Sequence, residues 1–186
     1  MIPVMSDDRL KLSLGIDAVL PNQCCWRIDA GYLRMVSLSE CGESFALGDW
    51  GPSDIVIPTS LQITNQVLFA LSEISVVQCD PTAEEQQQFI LDHLQQLSAL
   101  LVLSRVRPME DRLLRVLVWL GERFGRVNSI GISLSLNEMN LTHRNLAELI
   151  GSTRVTVTKS LMRLRQEGLL INTGHNDILI PHRASR

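Results

Sequence analysis

Apolar and polar positions along this chain change their spacing twice. Over residues 24–80 they come in short alternating runs broken by turn formers. Trp26-Arg27-Ile28 leads into Asp29-Ala30-Gly31, Tyr32-Leu33-Arg34-Met35-Val36 alternates, and Cys41-Gly42-Glu43 precedes the strand-like Ser44-Phe45-Ala46-Leu47. Gly48-Asp49-Trp50-Gly51-Pro52-Ser53-Asp54 is dense in turn residues, and further strands are predicted over 54–57, 63–70 and 74–78. Closely spaced strands with repeated turn signals predict a small antiparallel barrel or sandwich.

The period lengthens at Asp80-Pro81-Thr82, where Thr82 can cap a helix and Ala83, Glu84 and Glu85 suit its first turn. A helix over 82–106 would be nearly 40 Å long, at about 1.5 Å per residue. Ile90, Leu94, Leu97 and Leu101 recur at heptad spacing, and Phe89, Leu100 and Leu103 widen the apolar face. So wide a stripe predicts a dimer helix; packing on its own barrel alone is the alternative. Pro108 ends or kinks this helix. A second helix is predicted over Met109–Phe124, with Leu113, Val116, Leu117 and Leu120 on one face and Gly125 as its cap, followed by a short strand over 130–136.

Beyond Leu141 the spacing is more specific. Thr142 caps a short helix over His143–Ile150 that buries Leu146, Leu149 and Ile150, and Gly151 permits a tight bend. Thr153 caps a second helix reaching about Gln166. Its Val157, Leu161 and Leu164 face the first helix, while Arg154, Val155, Thr158, Lys159, Arg163 and Arg165 point away. Leu169-Leu170-Ile171 and Ile178-Leu179-Ile180 flank the turn-rich Thr173-Gly174-His175-Asn176-Asp177, which makes a hairpin. A helix, a glycine bend, a basic helix and a hairpin in that order predict a winged helix-turn-helix.

Composition supports this division. The 186 residues are 45% hydrophobic and 20% charged, a globular balance. The net charge of −3 hides an asymmetry: residues 1–125 carry 9 basic and 16 acidic side chains, whereas 126–186 carry 8 basic and 4 acidic. A basic rear suits a polyanion. The expected units are a sensor-like barrel over 1–80, a dimerisation helix over 81–107 and a DNA-binding domain over 108–186. No apolar run approaches the roughly 18 residues that cross a bilayer, and no secretory signal is evident, so a cytoplasmic protein with no membrane partner is expected. Cys24, Cys25, Cys41 and Cys79 have no zinc-type spacing. Idle thiols are expected, with a redox role for Cys24 and Cys25 the alternative.

Leu141-Thr142-His143-Arg144-Asn145-Leu146-Ala147, with Ile150-Gly151-Ser152-Thr153-Arg154-Val155-Thr156-Val157-Thr158-Lys159, resembles the winged helix of the Crp/Fnr regulators. The run over 151–159 is most similar to the cyanobacterial global nitrogen regulator branch. Trp26-Arg27-Ile28, Gly31-Tyr32-Leu33-Arg34 and Leu47-Gly48-Asp49-Trp50-Gly51-Pro52 resemble the strands and turns of the family's sensor barrel. The resemblance implies an α+β fold: a shortened antiparallel β-barrel of the cupin or cyclic-nucleotide-binding kind, a long dimerisation helix and a C-terminal winged helix-turn-helix. It also implies a homodimer on palindromic double-stranded DNA, with RNA polymerase as a further candidate partner. The chain departs from the family in its sensor. No arginine, lysine or glycine lies between Asp54 and Asp80, so neither a cyclic-AMP phosphate nor 2-oxoglutarate finds its basic side chain there. The iron–sulfur cysteine spacing is absent too. No cofactor is expected, and cyclic AMP in particular is not.

In the family pattern, Thr142 and Thr153 would hold phosphates at helix N-termini. Arg154 would reach guanine O6 and N7, and Val155 would meet a thymine methyl. Thr156, Thr158 and Lys159 are candidate phosphate or base-edge contacts, with His143, Arg144, Ser152, Thr173 and His175 as further candidates. A partner-binding module with only weak DNA contact is the competing reading. An enzyme is not expected, since no nucleophile, acid pair or histidine, His93 included, has a catalytic setting.

Overall fold

The computed structural model describes residues 9–40, 44–58, 66–174 and 177–184. Among these residues the front holds seven strands: β1 (Lys11–Leu14), β2 (Cys25–Ala30), β3 (Leu33–Leu38), β4 (Ser44–Trp50), β5 (Ile55–Val56), β6 (Gln66–Ala70) and β7 (Ile74–Cys79). Then come α1 (Ala83–Ser104), α2 (Met109–Phe124), β8 (Arg126–Val127), β9 (Gly131–Ser135), α3 (His143–Ile150), α4 (Arg154–Gln166), β10 (Ile171–Asn172) and β11 (Asp177–Pro181).

The front strands form two antiparallel sheets, β1-β7-β2-β5 and β4-β3-β6. They enclose a core of Trp26, Ile28, Leu33, Met35, Val56, Leu68 and Val76, with Trp50 and Phe89 beside it. Gly31 turns β2 into β3 at φ +85°, and a Cβ there would stand 2.1 Å from the Glu73 carbonyl oxygen, so only glycine fits.

Three details of the front differ from the sequence pattern. β1 lies before the first predicted strand and pairs with β7 from Lys11 opposite Val77 to Leu14 opposite Ile74. It is an edge strand of four residues, none of them buried, which leaves almost no alternation to read. Asp29 and Ala30 complete β2, and the turn starts only at Gly31. Gly48-Asp49-Trp50 continues β4 instead of turning. The register slips between Met35 and Val36, leaving Leu47 as an extra residue. Beyond this bulge Trp50 enters the core opposite Leu33, while Asp49 pairs opposite Arg34 on the sheet's other face. A polar, turn-like string is therefore buried strand because a second unit covers that face. The Cys41-Gly42-Glu43 turn and the start of the strand predicted over 63–70 lie outside the described residues.

Thr82 and Glu85 form the capping box that opens α1, and Glu85 also accepts from Arg27 at 2.9 Å. One face of α1 packs on the barrel through Phe89, His93 and Gln96. Phe89 therefore does not widen the heptad seam: it faces the barrel core and stacks with Trp50. The seam itself is turned to solvent, with Ile90, Leu94 and Leu101 53%, 59% and 63% exposed and Leu97 half-buried.

The rear unit has its own core. Leu113, Val116, Leu117 and Leu120 of α2 meet Leu146 and Ile150 of α3, Val157, Leu161 and Leu164 of α4, and Ile132, Leu134, Ile178 and Ile180 of a sheet ordered β10-β11-β9-β8. β8, at only two exposed residues, has no sequence signature. The two units touch through polar and aromatic contacts: Asn140 Nδ2 donates to the Leu71 carbonyl at 2.8 Å, Arg123 pairs with Asp54 at 3.2 Å, and the Tyr32 and Phe124 rings meet edge to face. Among the described residues no helix is long and apolar enough to cross a membrane.

Candidate nucleic-acid interface

The two short helices begin with the caps that the sequence predicts. Thr142 Oγ1 accepts from the Asn145 N–H at 3.1 Å, and Thr153 Oγ1 accepts from the Thr156 N–H at 3.2 Å. Between them Gly151 adopts φ 62° and ψ 52°, the left-handed conformation that ends α3 and turns the chain into α4. Ser152 N–H then donates to the Ala147 carbonyl at 2.8 Å, which closes the turn.

Val157, Leu161 and Leu164 anchor α4 from beneath, all at 1% exposure or less. The opposite face of its first turns is open: Thr153, Arg154, Val155 and Lys159 are exposed, as are Thr142 and Arg144, while Ser152, Thr156, Thr158 and His143 are half-buried. Val155 is 63% exposed, a β-branched apolar residue displayed at a helix start with nothing to pack on. Among the described residues no acidic side chain pairs with Arg144, Arg154 or Lys159. The structure thus places nearly every predicted interface residue on one surface at the N-terminal ends of α3 and α4, where free N–H groups and the helix dipole favour anions. Thr173 follows β10 in the wing and is exposed; His175 lies outside the described residues.

Two predicted basic residues are used differently. Arg163 pairs with Glu167 at 3.0 Å and Glu110 at 3.6 Å, which ties the middle of α4 to α2. Arg165 is half-buried with its Nε enclosed, and its charge bears on His143. His143 itself bridges the helices: the Thr158 hydroxyl donates to the Arg154 carbonyl at 2.9 Å, so its oxygen accepts from His143 Nδ1 at 2.8 Å. Burial, then the charges of Arg165 and Arg154, hold the His143 pKa below the ordinary histidine value.

Sequence reasoning missed the residues behind this surface. Arg34 and Asp49 are fully buried in the barrel wall, and Arg34 also reaches α3. Simple alternation put Arg34 on a polar face, and no local signal could pair it with a helix more than a hundred residues away. His93 lies in α1, on the face turned to the barrel: it is 3% exposed and stacked on Trp50 at 5.4 Å, with neither ring nitrogen hydrogen-bonded. Burial pushes its pKa down. Cys25 and Cys79 face each other across β2 and β7, and burial raises the pKa of both thiols and of Cys24, which is the setting of unreactive cysteines. Among the described residues no group of three metal-ligating side chains comes together.

Comparison with known proteins agrees with this geometry. The Crp-like helix-turn-helix domain family matches residues 111–185. The chain is 34% identical over 160 residues to the regulatory protein CysR of Synechococcus elongatus, covering 85% of this chain and 78% of that protein. It is 44% identical over 64 residues to the global nitrogen regulator of the same organism, 34% of this chain and 28% of that protein. FixK2 from Bradyrhizobium japonicum shares the fold at a TM-score of 0.76 and 16% identity, covering 94% of this chain and 93% of that one. With a barrel, a long helix and an open winged helix-turn-helix in one chain, and with these relatives, the protein belongs to the Crp/Fnr family of DNA-binding transcription regulators, not to a family of enzymes.

Proposed function

We propose that this regulator binds palindromic promoter DNA as a homodimer in the cytoplasm, reading each half-site with the first turns of α4. The observation that carries the reading is the exposed Arg154-Val155 pair at the start of α4, with Lys159 one turn further on and, among the described residues, no acid to neutralise them. Thr142 and Thr153, with the N–H groups of their helices, hold phosphates; Ser152, Thr156, Thr158, His143 and Arg144 lie within reach of the same backbone. Arg154 makes two hydrogen bonds to guanine, and Val155 packs on the methyl of the next thymine. The half-site therefore begins with guanine then thymine, similar to the GTA…TAC palindromes of the nitrogen-regulator branch that the recognition helix resembles.

The dimer forms through the seam of Ile90, Leu94, Leu97 and Leu101. Beside it, between α1 and α2, runs a groove of about 620 Å³ whose apolar lining includes Val102, Leu103, Val118 and Trp119, which a second copy would cover. Residues 1–80 act as the barrel, 81–107 as the dimer helix and 108–186 as the DNA-binding unit, with RNA polymerase a candidate partner on the promoter. The barrel does not suit cyclic AMP. Its segment between Asp54 and Asp80 has no basic residue, and its buried Arg34 and half-exposed Arg27 are already paired with Asp49 and Glu85.

Selection from random duplexes tests the proposal. The expected product is a GTA…TAC palindrome with half-sites about 34–36 Å apart, bound with a steep salt dependence. Recovery of no palindrome, or binding that salt leaves untouched, favours the partner-module reading instead. Leu94→Glu with Leu97→Glu should yield folded monomers by light scattering; a dimer mass would overturn the seam.

A further inference from the structure

The barrel meets the DNA-reading unit at a buried charge. Arg34 on β3 and Asp49 on β4 stand opposite each other, and both side chains are fully buried. Arg34 Nε and Nη2 donate to the two carboxylate oxygens of Asp49 at 2.7 and 2.8 Å. This planar fork fixes the guanidinium and leaves Nη1 projecting out of the sheet. Nη1 donates to the backbone carbonyl of Asn145 in α3 at 2.9 Å, with Glu148 Oε2 at 3.8 Å. The Ser44 hydroxyl of β4 also donates to the Glu148 carboxylate.

The gripped residue belongs to the start of α3. Asn145 donates its own N–H to the Thr142 cap and its side-chain amide to the Asn140 carbonyl. Behind the fork, the Asp49 N–H donates to Gln96 Oε1 on α1 at 2.9 Å, and Gln96 is buried next to Leu97 of the proposed dimer seam. One line of hydrogen bonds therefore joins α1, β4, β3 and α3.

A buried ion pair is a poor device for stability, because apolar side chains of similar volume hold such a site equally well. What the charge adds is direction: an apolar contact would let α3 slide on the sheet, whereas a fork aimed at one carbonyl does not. The grip also comes from behind, leaving Thr142, Arg144, Arg154, Val155 and Lys159 exposed.

We infer that Arg34 is a positioning residue for DNA binding: held by Asp49, it locks α3, and with it the reading helix α4, in one orientation on the barrel. A change in the barrel or in α1 that disturbs the fork would then loosen the orientation of α3 and α4 on the barrel without touching their DNA contacts, while the contacts at Asn140, Arg123 and Tyr32 still hold the units together. The affinity part of this inference rests on the proposed function; the orientation part does not.

The test compares wild type with Arg34→Leu/Asp49→Leu, which replaces the pair by apolar side chains and removes the donor to Asn145. Dyes at exposed Gln23 and Gln166, attached through chemistry that spares the native thiols, report the distance between barrel and α4. The probe is a GTA…TAC duplex. The expected result is a folded variant with a broadened distance distribution, affinity for the duplex reduced about tenfold, and an unchanged preferred sequence. Arg34→Lys, which keeps the charge beside Asp49 but lacks the fork, should fall between the two, and it carries the test if the double variant does not fold. A distance distribution identical to wild type in a folded variant overturns the inference. If wild type does not bind the duplex, the DNA reading fails by itself and the distance distribution still decides the lock.

Discussion

The barrel wall and the N-terminal ends of α3 and α4 use their cationic side chains in opposite ways. In the barrel Arg27 is bound to Glu85 and Arg34 to Asp49, and at the unit boundary Arg123 is bound to Asp54. In the first turns of the two capped helices of the helix-turn-helix, Arg144, Arg154 and Lys159 have no acidic partner among the described residues. A cation already satisfied by the fold can order the chain but has little left to offer a ligand. A cation left unpaired beside free backbone N–H groups is prepared for a polyanion. The same residue type therefore marks architecture where it is paired, as at Arg34 or at Arg163 of α4, and recognition where it is not, and partnership, not identity, separates the two.

The contrast is broken most strongly at the buried fork. Asp49→Leu alone leaves the Arg34 guanidinium buried without its partner and should lower folding stability by about 3–5 kcal/mol in chemical denaturation. The paired replacement used above should recover most of that loss. If the single substitution costs as little as a surface change, the architectural role of the pair is wrong.

On the recognition side, Arg154→Ala should leave stability unchanged within about 0.5 kcal/mol. It should cost about 1–3 kcal/mol of binding to the palindrome and relax preference at the guanine alone. Full retention of guanine preference would remove Arg154 from the reading.

A subtler difference lies in the two buried or half-buried histidines. Burial lowers the pKa of His93, and burial with Arg165 and Arg154 lowers that of His143. The unfolded chain therefore takes up protons first as the pH falls through about 6.5, so stability is complete above that value and declines toward the folded pKa. His93→Phe keeps a ring against Trp50 and should flatten part of this decline between about pH 7 and 5, measured as thermal unfolding at each pH. An unchanged slope would mean that His93 is not responsible. His143 remains in the variant, so some slope should persist.

The smallest effect is expected at Lys159. If it touches phosphate only, Lys159→Ala should weaken all duplexes alike and reduce the salt slope by about one unit. A change in the selected sequence would instead assign it to a base edge.

The rear helices were legible because their signals are local. Thr142, Gly151 and Thr153 punctuate α3 and α4 within a few residues of the turns they control, and the 3.6-residue spacing of Val157, Leu161 and Leu164 needs no distant partner to be recognised. The barrel was legible only in outline. β1 is too short to show a period, and Gly48-Asp49-Trp50 carries turn-like residues into a strand because a bulge and a covering helix change what each side chain meets.

By itself, then, the sequence determined the order of the elements other than β1 and β8, the capped helix pair and the basic, acid-poor surface at its N-terminal ends, since each depends on neighbours within one or two turns of chain. Tertiary structure alone decided that Phe89 and His93 face the barrel while Leu94 and Leu101 face solvent, and that Arg163 is tied to Glu110. It alone decided that Arg34, alternating innocuously along a strand, reaches the carbonyl of Asn145. Those outcomes depend on which surfaces the folded chain brings together across long sequence separations, and a buried charge takes its meaning from the partner it finds there.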